Sequence, residues 1–231
     1  MSALTLILFL ASTTVDLDAV TVPLSSELRI SLTLGARGEL RREGTVTRIK
    51  VDIDKIALPS SLGPALNTYV VWAVSPEGIL DNLGELEIKG AKALFNATTR
   101  LTQFGVLITA EPHYMVDRPN SAVVYRSQSP ETDLRRKVVP VEVGVYDYAQ
   151  LKTPSPGGAP TVVMQARAAF QIAQTAGAAG LAAADFRNAQ VAMGAMEELV
   201  NRAAVLDILW PTANEAIRWS QRAATTARAK R

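Results

Sequence analysis

Thr68–Pro112 reads TYVVWAVSPEGILDNLGELEIKGAKALFNATTRLTQFGVLITAEP, short apolar segments cut by turn residues. Val70, Trp72 and Val74 alternate with Tyr69, Val71 and Ala73, so a strand here is apolar on both faces. Ser75-Pro76-Glu77-Gly78 supplies a turn, with proline preset for the second position and glycine free to take positive φ. Leu83–Lys89 alternates more weakly and ends at Lys89-Gly90; Phe104–Thr109 is again continuous apolar strand. Such spacing predicts a meander packed between two sheets.

Working outward toward the N-terminus, Leu28, Ile30, Leu32 and Leu34 fall on one face of a strand predicted within Val20–Leu34. Gly35-Ala36-Arg37-Gly38 turns the chain, and Thr45–Ile56 alternates again, with Ile49, Val51 and Ile53 opposite Val46, Arg48, Lys50, Asp52 and Asp54. Asp52 and Asp54 share a strand face, but no calcium-loop pattern surrounds them, and a solvated face is the expectation. Met1–Ala11 (MSALTLILFLA) is apolar, far short of a membrane span, and about the length of a signal-peptide core. A secretory signal and a first strand both fit it; the signal is favoured, within a segment 1–19.

Toward the C-terminus, His113–Tyr125 and Lys137–Val145 are further strand candidates, separated by the polar stretch Ser127–Arg136. Glu111 and His113 are two apart and would share a strand face, yet no nucleophile, oxyanion site or pocket is marked beside them. Asn96-Ala97-Thr98 matches a glycosylation sequon, a three-residue pattern common by chance. Leu151–Pro160 (LKTPSPGGAP) holds three prolines and two glycines and marks a linker. Beyond it the composition turns alanine-rich and helical. Val163, Ala166, Phe170 and Ala173 form one stripe, which Gly177 and Gly180 end. Phe186, Ala189, Met193, Met196 and Val200 form a second, with Asp185 as N-cap, and the two methionines are expected in the core. Leu206, Trp210, Ala213, Ile217, Ser220 and Ala224 form a third, in which Pro211 belongs to the first turn or a kink.

The expected architecture is therefore α+β in two domains: an immunoglobulin-like antiparallel β-sandwich over 20–150, a linker over 151–160, and an antiparallel three-helix bundle over 161–231.

Composition narrows the function classes. With 48% apolar residues among 231, the chain can build a sizeable core, and a net charge of +2 gives no argument for nucleic acid. Eight basic residues against five acidic ones lie beyond Pro160, and Arg218, Arg222, Arg228, Lys230 and Arg231 crowd the end of the last helix. A solvated helix end, favourable to the helix dipole, is the expectation for them. Cysteine is absent, so disulfides, thiolate nucleophiles and zinc–cysteine sites are excluded; one histidine cannot build a multi-histidine metal site. No catalytic, cofactor-binding or metal-ligating residue is assigned.

Three runs carry a resemblance. YVVWAVSPEGILDNLGEL, ATTRLTQFGVLITAEP and RPNSAVVY resemble the amino-terminal module of acidobacterial OmpA-family cell-envelope proteins, which carry runs of the form YVLWAxxPxGxxxNLGE, TxLQxFGLxVTAEP and QPSxxVVxEN. The alanine-rich tail resembles the helical segment that follows that module. The resemblance implies a secreted, periplasmic or outer-membrane-associated protein whose partner is an envelope protein or cell-wall component. It implies no catalytic residues. His113-Tyr114 stands where such relatives tend to read Tyr-Phe, and nothing here matches their peptidoglycan-binding motif, so wall binding transfers to no residue. The function expected is a non-enzymatic structural or interaction module. The alternative is a sandwich that binds a cell-wall glycan or peptide, with Tyr69, Trp72, Tyr114, Tyr125, Tyr146 and Tyr148 as the aromatic groups able to form a stacking platform.

Overall fold

A computed structural model describes residues 12–128, 136–152 and 158–231. Among these, the fold is α+β: one nearly closed antiparallel sheet and four helices. The strands are β1 (Thr13–Thr21), β2 (Glu27–Leu32), β3 (Arg37–Glu43), β4 (Val46–Ile53), β5 (Thr68–Val74), β6 (Leu80–Glu85), β7 (Glu87–Lys89), β8 (Lys92–Thr99), β9 (Gln103–Glu111), β10 (Val123–Gln128) and β11 (Arg136–Val143).

Their order is β11-β1-β9-β10-β2-β3-β4-β8-β7, with β5 on the other edge of β9 and β6 outside β5. Two corners fold this sheet over on itself. β10 pairs with β9 through Tyr125 and Arg126 and then with β2 through Ser127 and Gln128. At the other corner the buried Leu86 still donates its N–H to Tyr69 O at 2.9 Å, and the next three residues pair with β8. The space between the layers is filled from both sides, by Tyr69, Val71, Ala73, Phe104, Val106 and Ile108 from one and Ile30, Leu40, Ile49, Val51 and Phe95 from the other.

β9 changes partner on one edge at Gly105. Phe104 faces Val20 of β1, while Leu107 and Ile108 face Arg126 and Tyr125 of β10. A Cβ at Gly105 would lie 1.7 Å from Leu17 Cδ1 and 2.9 Å from Asp18 O, so only glycine lets the three strands meet. Ser127 closes the gap: its hydroxyl donates to Asp18 O at 2.6 Å and accepts from Val106 N–H at 3.0 Å.

The helices are α1 (Thr161–Thr175), the single turn α2 (Ala178–Leu181), α3 (Ala183–Asn201) and α4 (Leu206–Arg228). They lie on the sheet's second face. Leu17, Val70, Trp72, Val74, Leu107 and Val141 share one core with Ile172, Ala173, Phe186, Ala223, Ala224 and Ala227. β5 is buried along its whole length because helices cover one face and the opposite layer covers the other. Polar bonds tie the same seam. Gln165 Nε2 donates to Glu85 Oε1 at 2.8 Å, Gln165 Oε1 accepts from Tyr114 N–H at 2.9 Å, and the Tyr114 hydroxyl donates to Asn214 at 2.9 Å.

Several expectations need correction. Thr13–Ala19, inside the segment expected as a signal, belongs to β1 and pairs with β11; Met1–Ala11 lies outside the described residues. Leu34 is not a strand residue: it sits in a turn at φ 61° and is exposed. β3 was hidden because RGELRRE offers one large apolar residue, Leu40, in seven. The chain from His113 to Ala122 is loop, and the strand begins only at Val123. Gly177 does end α1, in the left-handed conformation at φ 73°, but Gly180 lies inside α2. Asp185 is not an N-cap, since α3 begins at Ala183; its carboxylate instead accepts from Thr226 and pairs with Arg222 at 3.1 Å across the bundle. Pro211 is the sixth residue of α4, beyond its first turn.

The third stripe is covered only in part. Ala213, Ile217, Ser220 and Ala224 are fully buried, whereas Leu206 and Trp210, on the same stripe, are exposed. In the first turn of α4 only Leu209 is buried, in the core of the bundle.

Candidate functional site

The deepest ionisable groups stand at the end of β9. Strand alternation puts Thr109 and Glu111 on one face, and the register sets Val70 and Thr68 of β5 opposite them. Trp72 Nε1 donates to Thr109 Oγ1 at 2.9 Å, and that hydroxyl donates to Glu111 Oε1 at 2.5 Å. Oε1 also accepts the backbone N–H of Asn120 at 2.7 Å, while the buried Oε2 has no partner. Burial dominates the electrostatics and pushes the Glu111 carboxyl up to about 8, against the pull of its two hydrogen bonds. It is therefore largely protonated at neutral pH. Tyr148, also buried, is pushed up by burial first and by the nearby Glu111 second.

His113 is fully buried, and neither ring nitrogen has a hydrogen-bond partner. Burial, with Arg228 adding to it, lowers its pKa to about 3, so the ring is neutral. Glu111 and His113 thus sit close in sequence without bonding each other. The hydroxyl within reach of Glu111 is already engaged by the Trp72 indole. No group beside the histidine receives or supplies its proton.

Two hollows open nearby. One, about 260 Å³, is bordered by Leu66, Asn120, Gly144, Tyr146 and Tyr148; the other, about 240 Å³, by Tyr146, Tyr148, Leu151, Ile172 and Arg228. Glu111 and His113 line neither. Tyr146 and Tyr148 separate the two hollows, their rings tilted with centroids 6.3 Å apart. Arg228 lies 3.5 Å over the Tyr146 ring and pairs with Asp117 at 3.2 Å. That arrangement joins the end of α4 to the loop after β9 and the segment after β11.

The remaining expected groups disperse. Of the six aromatics, Tyr69, Trp72, Tyr125 and Tyr148 are buried, and Tyr114 and Tyr146 are half-buried; only Tyr146 and Tyr148 meet at a surface hollow. Tyr69 and Tyr125 spend their hydroxyls on Ala57 O and Lys55 O. Asp52 pairs with Lys50 at 3.1 Å and Asp54 with Lys92 at 3.6 Å on the solvated face. Met193 and Met196 are core residues of the bundle. The basic tail is only partly a solvated helix end: Lys230 Nζ donates to Leu181 O at 2.8 Å and Arg231 to Thr175 O at 3.2 Å, so both satisfy carbonyls at helix ends. Among the described residues, no three His, Asp or Glu side chains gather to hold a metal ion.

Glu111 and His113 stand out in the sequence as ionisable neighbours, but the contact of Trp72 with Thr109, the residue that bonds Glu111, does not. That pairing comes from the β5–β9 register, which no local pattern announces. No protein-family model, curated protein or solved structure matches this chain.

Proposed function

We propose that this chain is a non-enzymatic cell-envelope module, a spacer or protein-binding domain of the kind found in OmpA-family proteins. In this reading its sheet is an immunoglobulin-like sandwich, its long helices form a three-helix bundle, and it is a secreted protein of the periplasm or associated with the outer membrane. The location rests on the sequence resemblance. The observation that supports a non-catalytic role is the isolation of Glu111 and His113: both are buried, neither lines either of the two nearby hollows, and neither bonds the other. The core shared by sheet and helices further suits a rigid block that presents surfaces to a partner.

Fractionation of the native host carrying a tagged full-length chain, followed by cross-linking in the envelope fraction, tests this. Recovery with the envelope and a reproducible cross-linked partner is expected. A chain confined to the cytosol would remove the basis of the proposal.

A second reading, a glycan- or peptide-binding sandwich, draws support from one observation: Tyr146 and Tyr148 border the 260 Å³ hollow together with Asn120 and Asp147. Calorimetric titration with soluble peptidoglycan fragments tests it, with Tyr146→Ala expected to abolish any heat. Absence of binding at millimolar ligand would end this reading.

A further inference from the structure

We infer that Pro140 is an edge guard: it keeps the outer side of β11 from pairing with a strand of a second copy of this chain. β11 ends the strand order, and its eight residues pair with β1 in one unbroken register from Thr13↔Val143 to Val20↔Arg136. A long, regular edge of this kind is a template for another strand. The other terminal strands are poorer templates. β7 has three residues, and β6 is broken by an irregularity in its pairing with β5 and by Gly84 at φ 115°.

Which backbone groups of β11 face outward follows from contacts on the far side of β1. Asp16 O accepts from Arg126 Nη1 at 2.7 Å, Asp18 O accepts from Ser127 Oγ at 2.6 Å, and Val22 N–H donates to Thr102 O at 2.8 Å. The even-numbered residues of β1 thus direct their peptide groups toward β9 and β10, away from β11. Antiparallel rungs alternate between pairs that exchange both hydrogen bonds and pairs that exchange none. Thr14↔Glu142, Asp16↔Pro140 and Asp18↔Val138 are of the second kind, so Val138, Pro140 and Glu142 turn their backbone groups outward. Val139 and Val141 turn theirs to β1 and bury their side chains in the core shared with the helices.

Proline occupies the middle of these three outward rungs. It has no N–H to donate, and its ring stands where a neighbouring strand's carbonyl would come. Within β11 this costs no ladder bond, because the rung with Asp16 carries none. A second β11 laid antiparallel about Pro140 would set Val138 against Glu142 on either side, but its central rung would lack both donors. Shifting the register by two residues spreads the loss, with one donor missing in each of two rungs. The edge is otherwise suited to pairing: Val138 is 51% exposed, and no charged residue lies between it and Glu142. Proline therefore does here what lysines and short strands do at other edges. This inference does not depend on the envelope reading.

The test uses the full chain. Pro140→Thr restores the donor with a residue of good strand propensity, so the variant should fold, which circular dichroism checks. Sedimentation over a range of concentrations is expected to show it associating at least about tenfold more tightly than the parent. Adding Val138→Pro, which removes a neighbouring outward donor, should reverse that gain. Pro140→Thr that associates no more tightly than the parent would overturn the inference, as would association that Val138→Pro leaves intact. Amide exchange in the parent supplies a check that needs no variant. Val138 and Glu142 should exchange at least about a hundredfold faster than Val139 and Val141. Equal protection at all four would overturn the inference, because it would mean that the outer side of β11 is already paired.

Discussion

β4 and β5 are strands of similar length that obey different rules. β4 alternates strictly, with Thr47, Ile49, Val51 and Ile53 buried and Arg48 and Lys50 in water. β5 is buried at every position from Thr68 to Val74. The difference is what lies on the second face: solvent over β4, the helices over β5. A strand's pattern is thus a record of its environment, and β5 already carries in its residues the helices that arrive about ninety positions later.

The largest effect that would sharpen this contrast is Trp72→Ala. It removes the biggest fully buried side chain from the core that sheet and helices share, and it leaves the Thr109 hydroxyl without its donor. A loss of about 4 kcal/mol is expected from the cavity and the lost bond together. Chemical denaturation measures it, and β5 and the helices should unfold in a single transition. Two separated transitions would mean that the shared core does not couple the two halves.

Gly105→Ala should come next, at about 3 kcal/mol, because the new Cβ meets the backbone oxygen of Asp18 as well as the movable tip of Leu17. Leu17→Ala, added to it, should return only part of this loss, since the backbone contact stays. Full rescue would show the clash to be with the side chain alone.

How much of this could be read in advance follows the same division. Segments with one dry face announced themselves by alternation, as β4 did, and β5 and β9 announced themselves by continuous apolarity. The alanine stripes located the three long helices within a few residues. What stayed hidden depended on distant partners. β3 is a strand because β2 and β4 flank it, despite three arginines and two glutamates in seven residues. Asp185 looks like a cap locally, but Arg222 and Thr226 claim it from another helix. That Leu206 and Trp210 stay exposed on a stripe whose later members are buried depends on where the neighbouring helices lie, which no periodicity reports. At the candidate site the same holds: Glu111 and His113 were legible as ionisable neighbours, yet whether they meet each other or water was decided by the loop from Pro112 to Ala122 and by Tyr148.

Glu111 and His113 also compare as a pair, because burial shifts them in opposite directions. Glu111 rises from 4.5 to about 8, so between those values the folded chain holds a proton that the unfolded chain has released, and stability falls as pH rises. His113 drops from 6.5 to about 3, so between those values the unfolded chain holds the extra proton, and stability falls as pH drops. From 4.5 to 6.5 the two slopes oppose and cancel. Stability should then decline from pH 6.5 to 8 by about 2 kcal/mol through Glu111, and from 4.5 to 3 by a similar amount through His113. Denaturant midpoints across this range, compared with those of Glu111→Gln, check the first limb. The variant should lose the alkaline decline while keeping the acid one. An unchanged alkaline limb would show that Glu111 ionises freely in the folded chain.

The smallest effect belongs to the outer face of β4. There the rungs set Glu27, Arg41, Arg48 and Thr98 in line, and beside them Arg29, Glu39, Lys50 and Asn96. Arg41 and Arg48 stand directly opposite each other, an unfavourable like-charge pair that Glu43 offsets by reaching both, at 3.0 Å and 3.6 Å. Both guanidiniums are more than three-fifths exposed, so water screens attraction and repulsion alike. Arg48→Thr exchanges a charge for a β-branched residue of good strand propensity and relieves the repulsion, while giving up the longer of the two contacts to Glu43. The net change should stay within about 0.5 kcal/mol, and whatever part of it is electrostatic should shrink at high salt. A larger, salt-insensitive loss at Arg48 would mean that the outer face carries packing of its own, and β4 and β5 would then differ in degree rather than in kind.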